Sequence, residues 1–277
     1  MLFTMLGSGA VRDNVFRGGP AQVLEVGEEV WMFDAGRSAA TNLAKAGYGC
    51  ETVDRLFLTH LHFDHIVDLP YIVLVGWVKE RANQLRVYGP EGTNDFVTRV
   101  LRPPFEQDIQ SRMGHGKDDS VLDPAVMEAP STRSGHATGG AFLDEDGVKV
   151  ATTFTDHGGI PTLVYRIDAG GKRVVITGDG TPDDAFPEFC KGADLLAIEC
   201  SGTSDFLETV PWGSWHITPP DIGRIATEAG VKRVLIKHLV EQDVTHDRRG
   251  PQRMAEQIRE GFKGEVIVGE DGLRIDI

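Results

Sequence analysis

Between positions 60 and 65 the chain reads His60-Leu61-His62-Phe63-Asp64-His65, which puts three of its nine histidines and a carboxylate into six residues. The cluster follows the apolar run at 56–58 and Thr59, so it stands where a buried strand gives way to a turn. Four ionisable groups this close repel and desolvate one another unless something positive organises them. Imidazole nitrogen and carboxylate oxygen are ligand types that zinc accepts when thiolates are absent, so a metal centre removes the conflict. With a strand period of two, His60 and His62 point the same way, while Asp64 and His65 fall where a helix begins. One loop then serves two neighbouring ions.

Such a centre needs ligands from elsewhere. Apolar runs at 2–6, 21–26, 30–33 and 56–58 read as strands, and the strand rhythm returns at 148–154, 162–167, 173–177, 195–199, 234–236 and 265–268. Helices are expected at 41–46, 66–81, 94–101, 219–229 and 251–262, with Thr218 as an N-cap and Gly230 as a C-cap. Both halves therefore alternate strands with helices, which predicts a layered α/β fold with helices outside two packed sheets. Residues 1–277 are read as a single domain. The segment 102–147, rich in proline and weak in periodicity, is expected to be an insertion or lid.

His157, Asp179 and His238 each follow a strand, where α/β folds collect functional side chains, and they are the candidate further ligands. Asp179 is flanked by Gly178 and Gly180, which allow close backbone approach. His216, just ahead of the helix start at Thr218, is a candidate proton donor. Asp34, ending the strand at 30–33, suits an acceptor that orients a histidine. His115, His136 and His246 lie in polar surroundings and are read as surface residues. Phe63, Trp77, Trp212 and Trp215 are candidate substrate contacts.

The net charge of −14 disfavours a polyanion, so nucleic acid is expected to be excluded in favour of a small-molecule substrate. Three scattered cysteines suit a reducing compartment, and the cytoplasm is the expected location. No run approaches the roughly 20 apolar residues of a membrane span, so no membrane association is expected. The N-terminus enters Gly7-Ser8-Gly9 at once and reads as a strand, not a leader.

The ordered set Gly7-Ser8-Gly9, Trp31 to Gly36, Asp54 to Thr59, His60 to His65 with Leu69-Pro70, His157, Pro161 with Tyr165 to Ile167, Gly178-Asp179, Glu199, His216 to Thr218 and Lys237-His238 resembles the metallo-β-lactamase fold, in its ribonuclease Z and arylsulfatase-like branch. The resemblance covers about 1–90 and 148–240. It implies a four-layer αββα sandwich holding two Zn2+, with Mn2+ or iron as alternatives. His60, His62 and His157 would take the first ion, Asp64, His65 and His238 the second, with Asp179 bridging. It further implies that His216 assists proton transfer, that Glu199 supports the site from behind, and that a homodimer is possible.

Two departures stand out. Phe63 occupies a position where the ribonuclease Z relatives carry a small residue, and the histidine of their His-Glu-Ala-Thr motif is replaced ahead of Glu199. The resulting expectation is a zinc-dependent hydrolase in which a metal-bridging hydroxide attacks a small aromatic or apolar ester, lactone, phosphodiester, sulfate or halide. Asp64 would accept a hydrogen bond from that hydroxide. The alternatives are a ribonuclease Z-like phosphodiesterase acting on RNA 3′ ends, and an iron-loaded redox or non-catalytic member of the fold.

Overall fold

Alternate residues of the strands serve different cores, which is why their apolar runs are continuous. In the strand around Trp31, the side chains of Trp31 and Phe33 join one buried cluster and Met32 another. Around Leu235 the same split separates Leu235 from Val234 and Ile236. Strands covered on both faces are what a sandwich with outer helices demands.

A computed structural model describes residues 1–129, 141–240 and 249–277. Its strands are β1 (Leu2–Gly7), β2 (Ala21–Val26), β3 (Glu29–Phe33), β4 (Val53–Phe57), β5 (Arg86–Gly89), β6 (Ala125–Glu128), β7 (Ala141–Glu145), β8 (Val148–His157), β9 (Ile160–Ala169), β10 (Lys172–Thr177), β11 (Thr181–Pro182), β12 (Leu195–Glu199), β13 (Arg233–Lys237), β14 (Glu265–Val268) and β15 (Arg274–Asp276). The first sheet runs β15-β1-β2-β3-β4-β5-β6 and the second β11-β8-β9-β10-β12-β13-β14, with β7 along β8.

The helices are α1 (Ala39–Lys45), α2 (Phe63–Ile66), α3 (Leu69–Val78), α4 (Thr93–Gly114), α5 (Phe186–Phe189), α6 (Ser204–Thr209), α7 (Pro219–Glu228) and α8 (Arg249–Gly261). Residues of α1, α3 and α4 close the outer core of the first sheet, and those of α5, α7 and α8 that of the second. The architecture is the four-layer αββα sandwich.

Between the sheets an aromatic column joins Trp31, Phe33, Phe57, Tyr88 and Tyr165, with Phe57 stacked on Tyr88 at 4.6 Å and edge-on to Tyr165 at 5.2 Å. The fully buried Tyr165 hydroxyl donates to the Leu58 carbonyl at 2.7 Å, and the Leu163 N–H donates to the Thr59 carbonyl at 2.8 Å. These bonds pin β9 to the residues just ahead of the histidine cluster. In each sheet the site-bearing strands are parallel, so their carboxyl ends share an edge: β3 pairs parallel with β4, and β10, β12 and β13 pair parallel in turn.

The described part of the segment 102–147, expected as an insertion or lid, carries regular structure. Its first part completes α4, which passes through Pro103 and Pro104 to Gly114, and Ala125–Glu128 adds a parallel strand to β5. Ala141–Glu145 pairs with β8. The described part thus adds a strand to each sheet; residues 130–140, including His136, lie outside the described residues, as does His246. The helix survives its prolines because both are exposed, so water can take the carbonyls one turn back that lose their donors. The expected helix at 66–81 is shorter, with Asp68 as the N-cap of α3 and Pro70 in its first turn.

At the far end of the first sheet Glu29 accepts from Trp31 Nε1 at 2.6 Å, Arg55 Nε at 2.7 Å and Arg86 Nη2 at 2.7 Å. Burial alone would raise its carboxyl, but these donors outweigh it and lower the pKa from 4.5 to about 2. The folded value is depressed, so this stabilisation is complete above the unfolded pKa and is lost as pH falls through the folded one. Glu29→Gln should therefore flatten the acid limb of a denaturation profile between those two values. Tyr165→Phe leaves the Leu58 carbonyl buried without its donor and should cost about 1–3 kcal/mol in urea unfolding.

Candidate metal centre

Asp34 is fully buried at the end of β3, in left-handed backbone at φ 56°. Its Oδ1 accepts the Thr59 N–H at 2.8 Å, and its Oδ2 lies 2.9 Å from His65 Nδ1. The carboxylate thus fixes the His65 ring and leaves Nε2 facing inward. Thr59 Oγ1 lies 3.0 Å from His60 Nδ1 and does the same for His60. His62 is half-buried as the N-cap of α2, its ring centroid 4.6 Å from that of His60 and 5.0 Å from that of His157. His157, ending β8, sets Nδ1 against the Trp215 carbonyl at 3.1 Å.

Asp179 follows β10 into the middle of these rings. Its Oδ2 lies 3.0 Å from His238 Nε2, 3.4 Å from His65 Nε2 and 3.9 Å from both His60 Nε2 and His157 Nε2. Asp64 Oδ2 stands 3.5 Å from His238 Nε2 and 3.8 Å from His65 Nε2. Gly180 makes room here: its φ is 112°, and a Cβ on it would fall 2.6 Å from the Asp156 carbonyl oxygen. His238 also takes left-handed backbone, at φ 58°.

A residue the sequence reading passed over ties the far side together. Ser201 Oγ lies 3.1 Å from Glu199 Oε2 and 3.0 Å from Nδ1 of both His216 and His238. Glu199 Oε1 accepts the Gly180 N–H at 3.0 Å and stands 3.0 Å from His216 Nδ1. Only the strand-end position of Ser201, two residues past Glu199, hinted at it. Thr218 caps α7 by accepting the Asp221 N–H, which fixes the chain on which His216 rides.

The electrostatics follow from this burial. Desolvation, reinforced by the neighbouring His65, pushes His60 well below the usual imidazole range, and desolvation together with His157 lowers His62. Burial would also lower His65, but Asp179 and Asp34 more than offset it and raise it to about 10. Asp179 is held far below the carboxylate range because His238 and His65 outweigh its desolvation. Burial opposes protonation of His216, yet Glu199 lifts it to about 9.

The donor set fits divalent cations. His60, His62 and His157 form one group with ligand atoms within 4.8 Å of one another, and Asp64, His65 and His238 form a second. Asp179 joins His60 and His65 in a third, so it stands between the two. Nε2 of His60, His65 and His238 and Oδ1 of Asp179 are buried without a hydrogen-bond partner, a costly arrangement that bound cations would relieve.

The aromatic candidates divide. Phe63 and Trp215 are exposed, at 66% and 48%, and Trp215 lies edge-on to His157 at 6.4 Å. Trp212 stands edge-on to His216 at 5.3 Å. Trp77 is corrected: it is buried with Ile109 and Leu122, its indole N–H donating to the Asp118 carbonyl at 2.7 Å, and it offers a substrate nothing. Its place in a strongly apolar helix made core the physical outcome.

Residues 16–191 match the family model of the metallo-beta-lactamase superfamily, and the chain belongs to that superfamily as a hydrolase of its fold. Among curated relatives, Ribonuclease Z of Mycobacterium avium (strain 104) is 30% identical and that of Mycobacterium bovis (strain BCG / Pasteur 1173P2) 28%, each alignment spanning 99% of this chain and 97% of the relative. Among solved structures, the short form of human tRNase Z superposes with a TM-score of 0.77 at 24% identity, covering 100% of this chain and 99% of that one. The metallo-beta-lactamase fold protein YhfI from Bacillus subtilis gives 0.76 at 21%, covering 99% of each.

These relatives overturn the exclusion of nucleic acid and the preference for a small-molecule partner. The exclusion rested on net charge, a sum over the whole surface whose reach is cut to about 8 Å by physiological salt. A local cationic centre is not visible in that sum. Among the described residues no helix is long and apolar enough to cross a membrane.

Ser201→Ala should lower affinity for an added divalent cation about 10–100-fold by freeing the His238 ring, with Ser201→Thr restoring most of it, as read by competition with a chromogenic chelator.

Proposed function

We propose that the chain is a binuclear phosphodiesterase of the ribonuclease Z kind that acts on RNA 3′ ends. The RNA reading is carried by similarity to proteins named Ribonuclease Z along 99% of the chain. The chemistry is supported by the seven histidine and aspartate side chains that the two sheets gather at one edge of the sandwich. In this reading His60, His62 and His157 hold one zinc ion, Asp64, His65 and His238 a second, and Asp179 stands between them. When bound, two such cations supply positive charge for phosphoryl oxygens and make a water molecule acidic enough to serve as nucleophile near neutral pH.

The chain's own residues do the rest. Asp34 and Thr59 keep the His65 and His60 rings in one tautomer and one orientation, so their inward nitrogens need no reorganisation. Asp64, at the edge of the cluster, is placed to accept a proton-bearing contact from the attacking water. Glu199 favours the protonated form of His216, and with Nδ1 turned to Glu199 its Nε2 is the nitrogen left to deliver a proton to the leaving oxygen. Ser201 couples that donor to His238 through one hydroxyl. Phe63 and Trp215 offer exposed faces on which a base can stack.

Asp179→Ala should lose both bound metal and cleavage of a 3′-extended transfer RNA precursor. His216→Ala should keep its metal and lose about 10²–10⁴-fold in turnover. Mass-spectrometric metal analysis alongside single-turnover cleavage checks both. Full activity after exhaustive chelation would overturn the metal reading, and inertness of the zinc-loaded protein toward RNA the substrate reading.

A further inference from the structure

Beside the metal centre lies a groove of about 550 Å³ whose walls include Arg37, Asn42, Lys45, Asp271 and Arg274. Its three exposed cations come from separate parts of the chain: the loop after β3, the last turn of α1 and the start of β15. Acidic residues outnumber basic ones 42 to 28 in this protein, yet among the described residues none of these three forms an ion pair. Exposed arginines elsewhere do so routinely, Arg99 with Asp95 and Arg112 with Asp108 among them.

The three are positioned without being neutralised. Arg37 Nη2 donates to the Asn14 and Arg17 carbonyls, each at 2.7 Å. Lys45 Nζ donates to Asn42 Oδ1 at 3.1 Å, and Arg274 donates to the Ala46 carbonyl. Among the described residues the one carboxylate lining the groove, Asp271, accepts from Ser8 N and Oγ, Gly18 N and Asn42 Nδ2 and pairs with none of the three cations. Neutral acceptors hold the cations in place and leave their charge available.

The groove is also tied to the metal centre. The Gly19 N–H donates to the Arg37 carbonyl at 2.8 Å, and a Cβ on Gly19 would come within 2.9 Å of the Asp64 carbonyl oxygen. The chain that presents Arg37 therefore crosses directly behind the loop that presents Asp64. Val15 and Phe16 stand exposed on the rim, at 85% and 67%. Cations that are held but not paired, next to a hydrolytic centre, suit consecutive phosphates of a strand.

We propose that Arg37, Lys45 and Arg274 bind the phosphate backbone of the RNA whose 3′ end enters the metal centre, a role that rests on the RNA reading above. The test compares wild type with Arg37→Ala/Lys45→Ala/Arg274→Ala on the zinc-loaded full chain. A control replaces Lys149, Lys191 and Lys263 by alanine. Binding of a 3′-extended RNA hairpin is followed by fluorescence anisotropy from 50 to 200 mM salt, and hydrolysis of bis(p-nitrophenyl) phosphate is measured in parallel.

The groove variant should bind at least tenfold more weakly at about 100 mM salt, with the slope of log K against log salt reduced by about 3, close to 0.9 for each lost phosphate contact. Small-diester hydrolysis, which needs only the metal centre, should stay within about twofold, and the control should match wild type. Wild type that cleaves RNA while the groove variant keeps its affinity and slope overturns the groove alone. Wild type that neither binds nor cleaves RNA, yet hydrolyses the small diester, overturns the RNA reading and the groove with it. Should the triple variant fold poorly, Lys45→Glu on the exposed face of α1 carries the test, with a severalfold loss of affinity expected and an unchanged Kd overturning the proposal.

Discussion

One buried carboxylate organises the functional edge of this molecule. Asp179 brings an oxygen within 4 Å of four inward-facing imidazole nitrogens, drawn from both sheets. Without compensation such a gathering is expensive, because desolvated nitrogens and oxygens lacking partners forfeit their hydration. What makes it affordable is a second ring of groups facing outward from each histidine. Asp34, Thr59, Ser201 and the Trp215 carbonyl fix one nitrogen of a ring and so commit the other to the centre. The sandwich exists around this arrangement in the sense that the Tyr165 and Leu163 bonds lock the two sheets together beside it.

The sequence was most readable where the residues are contiguous. His60 to His65 advertise themselves by density, Asp179 and His238 by standing after apolar strands buried on both faces, and His157 by closing a strand just ahead of Gly158-Gly159. Ser201 was opaque for the opposite reason, since a lone serine carries no signal until the fold brings Glu199, His216 and His238 around it. Trp77 misled because an indole in an apolar helix looks the same whether it faces a ligand or the core. The stretch after Leu101 was hard to read because its apolar periodicity is weak, yet α4 runs on through Pro103 and Pro104, whose exposed face lets the helix continue.

Charge was the deepest misreading. A total of −14 describes the field far from the surface, whereas a strand of RNA meets individual side chains at contact distance. Some acidic residues pair with arginine or lysine, as at Glu29, Asp95, Asp123 and Glu228, while Arg37, Lys45 and Arg274 pair with none among the described residues. A protein can be acidic in sum and basic in places, and pairing rather than composition decides where.

The left-handed backbone at Asp34 and His238 limits how this centre can be altered by evolution or by design. Side chains branched at Cβ resist that conformation, so exchanging either residue for valine, isoleucine or threonine strains the main chain before any chemistry is tested. Asparagine or glycine relieves the strain while deleting the function. Retuning this pocket for a different ion is therefore simpler at His60, His62 and His157, whose peptide geometry is ordinary, than at the two positions where the fold itself has been bent to present the side chain.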